Sequence, residues 1–447
     1  MIHDYRKAVI LGLGASGEGA ARLLLSEGCG VTVIDGAESP ALFERAHGLE
    51  QDGARVFLGA KEPPADHFDV GVVSPGVPAN SLLLQALLER DIPVISELEL
   101  AWTRSRGPVL AVTGSNGKSS VVKWCAEALK AQGRHPVIAG NYGPAFSEAV
   151  RIKREADPWV IEVSSFQLEW IEDFRPDVGV FLNLLPNHLD RHGSLKEYLC
   201  TKARIFENAK ETDICICHHD WLEQVQAAVG RRGLWWSFDG CPQSDYMFSQ
   251  GRILHHGGVI AHLEGTYFDN EVLGPAAGAA VAALRPFGVS PEQAAAALKT
   301  FEPLPHRMQK IADIDDVVYI DDSKATNLAG MMGGLRMAGR PVRLIAGGLP
   351  KEDDFGAAKE VLVQRARSVY LIGTASNSMA SAWSGVVPVT ACNTLENAVR
   401  RARQDAAPGD AILLSPGCAS FDQFRDYEQR GEVFAEIVNR LAEEEVR

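Results

Sequence analysis

The run Thr113-Gly114-Ser115-Asn116-Gly117-Lys118-Ser119-Ser120 gathers glycines, hydroxyls and a lysine into one short turn. Residues 109–112 before it are four apolar residues that read as a buried strand, and residues 121–129 after it read as a helix. A strand that feeds a glycine-rich turn and then a helix start aims backbone N–H groups, an ammonium and hydroxyls at one point. Such a constellation suits the phosphates and magnesium of a nucleoside triphosphate. Gly114 lies closer to Gly117 than in the usual P-loop, so the strand–turn–helix context carries the assignment of Gly114, Ser115, Asn116, Gly117, Lys118, Ser119 and Ser120 to phosphate binding.

Three more polar residues belong beside that turn. Ligands of a parallel sheet collect beyond the carboxyl ends of its strands. Glu162 sits in the apolar run Trp159-Val160-Ile161-Glu162-Val163, and His188 follows the run that ends at Asn183. A carboxylate inside such a run is costly unless a cation pairs with it, and magnesium takes one or two carboxylates with triphosphate oxygens. Ser119 and Glu162 are therefore candidate metal ligands. Lys202 is subtler: helical spacing from Leu195 puts it on the same face as Tyr198, Leu199, Ile205 and Phe206. A bare ammonium held there near a metal would be repelled. An amine carrying a carboxylate-bearing modification would not.

A second glycine loop lies near the start. Gly12, Gly14 and Gly17 have the G-x-G-x-x-G spacing between apolar residues 8–11 and an Ala/Leu-rich helix, and Asp35 ends the next strand. Alone, this pattern marks a diphosphate at a helix start and leaves a nicotinamide dinucleotide open as the ligand. Ser74-Pro75-Gly76 ends another apolar run and forms a further ligand edge.

The elements that must hold these groups alternate strand and helix throughout. Arg104-Ser105-Arg106-Gly107-Pro108 reads as a linker and Pro303-Leu304-Pro305 as a second boundary. The chain thus divides into 1–104, 105–304 and 305–447, three α/β domains of doubly wound type. Its 447 residues, 46% hydrophobic and 23% charged, allow each a core. A net charge of −14 argues against nucleic acid. No run is long and apolar enough to cross a bilayer, and eight dispersed cysteines point to reduced thiols and the cytoplasm. Cys215-Ile216-Cys217-His218 has no common zinc spacing and reads as a strand end. A monomer is expected.

Together with Glu162-Val163-Ser164-Ser165-Phe166-Gln167, His188-Leu189-Asp190-Arg191-His192 and Leu304-Pro305-His306-Arg307, these residues resemble the Mur ligases. Asp322-Ser323-Lys324-Ala325-Thr326-Asn327 and Ser415-Pro416-Gly417-Cys418-Ala419-Ser420-Phe421 narrow the resemblance to members that add D-glutamate. It implies a Rossmann-like N-terminal domain for a UDP-sugar, a central P-loop domain for ATP with a mainly parallel sheet, and a Rossmann-like C-terminal domain for the amino acid. It places Lys118 on the phosphates and Ser119, Glu162, His188 and a carbamylated Lys202 at two magnesium ions, with Lys118, Glu162, His188 and Lys202 catalytic. Arg307 and Asp322 match nucleotide contacts. Ser16, Ser74, Pro75, Gly76, Asn141 and His188 match contacts to UDP-N-acetylmuramoyl-L-alanine. Thr326, Lys351, Ser420 and Phe421 match the D-glutamate pocket.

The implied reaction phosphorylates the L-alanyl carboxylate with ATP and lets the D-glutamate amine displace phosphate. Two departures stand out. Asn187 replaces the acid usual before the histidine, and Ala276, Ala277 and Ala280 replace a polar trio expected at the adenine side. Each lost hydrogen bond is worth ~1 kcal/mol, so weaker ATP binding is expected. The usual polar uracil contact is also missing at Gly36 and Ala37. Two other readings compete: an NAD-dependent oxidoreductase resting on the first glycine loop and Asp35, and a non-catalytic nucleotide-binding ligase homologue resting on the three alanines.

Overall fold

The computed structural model describes residues 4–352 and 354–445. Among them the strands form three sheets of five, nine and six strands. The chain makes two compact units: Met1–Asp269 with Gly274–Thr300, and Asn270–Leu273 with Phe301–Arg447. The first unit holds the five- and nine-stranded sheets, the second the six-stranded one.

The five-stranded sheet is wholly parallel, in the order Arg55–Phe57, Gly30–Ile34, Lys7–Leu11, Val70–Val73, Val94–Ser96. Its central strands are continuous apolar runs because both faces are covered, as in parallel sheets generally. Helix Ala15–Ser26 lies close on it at Gly17, whereas Gly19 gives room to the helix Phe146–Ile152 on its other side. This is the Rossmann-like half expected for the N-terminal segment.

In the nine-stranded sheet Val109–Thr113 lies between Trp159–Glu162 and Val178–Phe181, all parallel. Val137–Gly140 forms one edge beyond Trp159–Glu162. On the other side Ile214–His218, Leu234–Phe238 and Tyr246–Ser249 continue the parallel order, and Arg252–His255 and Gly258–His262 finish it as an antiparallel extension. Cys215 and Cys217 are buried in Ile214–His218, which is the strand expected there. The antiparallel extension was not expected. It shows weak alternation and half-exposed faces, so period-2 patterning does not reveal it.

The six-stranded sheet runs Gln309–Ile314, Val317–Asp321, Ala411–Leu414, Val342–Gly347, Ala366–Ile372, Val389–Asn393, parallel except for its first strand. Two helix starts are capped by serine, each in its own way. Ser290 and Gln293 make a reciprocal capping box. At Ser194 the hydroxyl accepts from the Glu197 N–H at 3.2 Å and donates to the Glu197 carboxylate at 3.0 Å. The glutamate thus reaches the hydroxyl in place of the backbone N–H a full box would use.

Candidate functional site

The glycine turn sits at the carboxyl end of Val109–Thr113, and Gly117 caps the helix Lys118–Ala131. Gly117 has φ +84° and Gly114 φ +153°, conformations that suit glycine alone. A Cβ at Gly114 would also lie 3.0 Å from Cβ of Leu182, so the turn presses against the neighbouring strand end. Asn183 completes the support. Its Oδ1 accepts from the N–H of Ser115 at 3.0 Å and of Asn116 at 2.9 Å, and its Nδ2 donates to the Asn116 carbonyl at 3.1 Å. Sequence reasoning missed this residue. Ser119 and Ser120 are buried at the first turn of the helix.

Beneath the turn lie the expected acid and lysines. Glu162 pairs in register with Val112 and is buried. Its Oε1 accepts from Asn141 Nδ2 at 2.7 Å, whereas Oε2 is buried with no hydrogen-bond partner. A buried, half-satisfied carboxylate is expensive unless something positive completes it. Lys118 Nζ donates to the carbonyls of Gly114 and Ser115, at 2.8 and 3.0 Å. Lys202 is buried, donates to the same Gly114 carbonyl at 2.9 Å, and lies over the Tyr198 ring. Burial, reinforced by the charge of Lys118 and partly offset by Glu162, holds its amine well below the ordinary lysine value. The same burial favours the neutral, nucleophilic form of that amine over the charged one. The hard oxygens of Ser119 and Glu162, with a lysine suited to carboxylation, fit a divalent cation.

His188 begins the short helix Leu189–His192, itself in a left-handed conformation (φ +55°) and exposed. Its ring meets the edge of Phe166 at 5.0 Å between centroids. Phe166 also stacks on His192, and His192 on Tyr198. Arg191 covers Phe166, pairs with both oxygens of Glu169, and donates to the Pro75 carbonyl at 3.1 Å. The segment carrying His188 is thereby tied to the edge Ser74-Pro75-Gly76 of the first sheet.

That edge opens into a cleft of 570 Å³, lined by Ser16, Ser74, Pro75, Gly76 and Asn141 among others. Asn141 links the two halves of the site, facing the cleft while holding Glu162. Gly12 and Gly17 of the first loop answer to packing, Gly14 does not: a methyl on Gly17 would run into the Gly12 carbonyl and Ser74 Oγ, while one on Gly14 meets nothing within 4 Å. Asp35 accepts from the N–H groups of Leu13 and Ala37, at 2.7 and 2.9 Å. It braces its own loop, a role that needs no dinucleotide ribose and weakens the oxidoreductase reading.

The second unit gathers its own expected residues. Asp322 is buried and accepts from Ser415 Oγ at 2.7 Å and the Met308 N–H at 3.3 Å. Burial pushes its carboxyl up to about 7, against the pull of the Arg307 charge. Lys351 Nζ reaches Thr326 Oγ1 at 3.3 Å. Leu349 and Ala419 exchange backbone hydrogen bonds at 2.9 Å, so the loop of buried Ser420 and exposed Phe421 lies beside that of Lys351. In the first unit, Ala276, Ala277 and Ala280 are buried in helix Gly274–Leu284, whose Gly274 and Gly278 face Phe248 and Tyr246.

Comparison with known proteins decides the family. Residues 6–96 match the Mur ligase MurD-like N-terminal domain, 112–263 the Mur ligase middle domain and 306–418 the Mur ligase glutamate ligase domain. The chain is 37% identical to the UDP-N-acetylmuramoylalanine–D-glutamate ligase of Koribacter versatilis (strain Ellin345), over 98% of each chain. The chain belongs to the Mur ligase family. A relative of the same name from Desulfosudis oleivorans is 38% identical over 98% of this chain and 97% of its own. Among solved Mur ligases, the fold matches MurF of Thermotoga maritima in complex with ADP (TM-score 0.64, 15% identity, 93% and 96% covered). It also matches UDP-N-acetylmuramate-alanine ligase MurC of the same organism (TM-score 0.60, 16% identity, 98% and 99% covered). This membership disfavours both the oxidoreductase and the non-catalytic reading.

Proposed function

We propose that this chain is an ATP-dependent ligase that joins D-glutamate to UDP-N-acetylmuramoyl-L-alanine in peptidoglycan precursor synthesis. The near full-length likeness to D-glutamate ligases supplies the substrates. The observation in the molecule that carries the reading is the unpartnered buried oxygen of Glu162 beneath the glycine turn. In this reading residues 1–104 take the UDP-sugar, 105–304 ATP and 305–447 the amino acid. It works as a monomer in the cytoplasm, where both nucleotides are available, with no nucleic-acid partner.

Ser119, Glu162, His188 and a carbamylated Lys202 would hold two magnesium ions, which when bound neutralise charge on the triphosphate. Lys118 and the amides opening its helix receive the β- and γ-phosphates, and Arg307 and Asp322 the rest of the nucleotide. Ser16, Ser74, Pro75 and Gly76 hold the uridine diphosphate, and Asn141 and His188 the sugar-peptide end. The L-alanyl carboxylate oxygen attacks the γ-phosphorus and ADP departs. The amine of D-glutamate, held by Thr326, Lys351, Ser420 and Phe421, then attacks the acyl carbon. Phosphate leaves with the bonding pair and the nitrogen gives up a proton. The protein's part is placement and charge neutralisation rather than covalent chemistry.

The alanines at 276, 277 and 280 leave the adenine side without side-chain hydrogen bonds from that helix, and a raised KM for ATP is expected. The test is phosphate release from ATP with amino acids of both chiralities. Release should require UDP-N-acetylmuramoyl-L-alanine and D-glutamate together; turnover that dispenses with either would refute the assignment.

A further inference from the structure

We propose that Asn183 is a positioning residue for the triphosphate. Its carboxamide splints the glycine turn and occupies the N–H groups of Ser115 and Asn116, so phosphate is received only by the amides from Gly117 onward. The proposal rests on the reading that ATP binds at this turn.

The geometry is specific to a carboxamide. One oxygen accepts two consecutive backbone N–H groups, and the adjacent nitrogen donates to the carbonyl of the second residue, Asn116. The Asn183 main-chain oxygen accepts from Ser115 N–H as well, at 3.0 Å. The Ser115 hydroxyl is likewise turned into the protein, accepting from the Leu185 N–H at 2.9 Å. A turn cradling phosphate usually offers its successive N–H groups to the anion. Here two of them point at a side chain on the neighbouring strand end, and the helix start inherits the task. Asn183 reaches the turn because Phe181 pairs with Thr113 and the Leu182 N–H extends that ladder to the Thr113 carbonyl. An aspartate there would keep the acceptor, lose the donor and set a negative charge against the phosphates. An alanine would lose all three side-chain hydrogen bonds while keeping the main-chain one.

The test combines kinetics with amide exchange resolved to single residues. In the wild-type chain a nonhydrolysable ATP analogue with Mg2+ should slow exchange at Lys118, Ser119 and Ser120 and leave Ser115 and Asn116 unchanged. In Asn183→Ala, exchange at Asn116 should quicken and KM for ATP should rise roughly tenfold, the worth of one or two neutral hydrogen bonds. The dissociation constant for UDP-N-acetylmuramoyl-L-alanine should stay put, which a general folding defect would not allow. Asn183→Asp should be impaired at least as much. The proposal falls if Asn183→Ala keeps its KM for ATP within twofold, or if the analogue itself protects Ser115 and Asn116. Should the alanine variant not fold, the wild-type exchange pattern still decides. Failure of the functional reading would show separately, as a wild-type chain that releases no phosphate from ATP.

Discussion

Two glycine-rich turns in the first unit have the same local plan, strand to turn to helix, yet their surroundings differ. Around Gly12–Gly17 the neighbouring polar side chains brace the turn from within: Asp35 holds two amides and Ser74 donates to the Gly12 carbonyl. Around Gly114–Lys118 two lysines converge on one carbonyl and a buried carboxylate oxygen has no partner. In the proposed reading the first turn, already braced, offers shape and N–H groups to a diphosphate. The second is electrostatically incomplete and acquires its balance from what binds. On that reading the difference separates a binding cradle from a reaction centre, which glycine spacing alone cannot do.

The comparison breaks most visibly at Lys118. Lys118→Ala should lower ATP-dependent amide formation by roughly a thousandfold, on the scale of a lost transition-state charge contact. Binding of UDP-N-acetylmuramoyl-L-alanine, measured by calorimetry, should persist. At Lys202 the proposed reading requires the buried amine to react with CO2. Activity should fall when bicarbonate is removed and return when it is restored, and Lys202→Arg, which cannot form the carbamate, should lose roughly a hundredfold. Intact-protein mass should show one added CO2 on the wild-type chain and none on the variant.

The first turn should respond differently. Gly17→Ala drives a methyl into backbone, so it should destabilise the fold by about 1–3 kcal/mol, read as a lower Tm. It should raise KM for the UDP-sugar while affinity for a triphosphate analogue is retained.

Much of this contrast is legible in the sequence. The buried run before Gly114 and the acid within residues 159–163 are local patterns. The apolar face that captures Lys202 follows from helical spacing, and all of its expected neighbours except half-buried Leu195 are buried. Asn183 is not legible. Nothing near it in the chain says that its carboxamide will meet a turn some seventy residues earlier, since that contact exists only once two strands pair. The same holds for Asn141 on Glu162 and for Arg191 reaching Pro75. Short edge strands such as Arg55–Phe57 also escape, being too brief and too exposed to carry a period.

The smallest effect concerns the second unit. Folding raises the Asp322 carboxyl from 3.8 to about 7. A raised acid favours the native state most below its unfolded value, and that contribution is lost as pH rises through about 7. Thermal melts across this window should show wild-type stability declining with pH more steeply than that of Asp322→Asn. Parallel slopes would count against the burial argument.

The central claim is that the spare oxygen of Glu162 is reserved for a cation shared with the nucleotide. Mn2+ binding followed by electron paramagnetic resonance, with and without a nonhydrolysable triphosphate, tests it directly. The nucleotide should tighten Mn2+ binding in the wild-type chain, and Glu162→Gln should abolish that coupling. Equal coupling in both proteins would contradict the account.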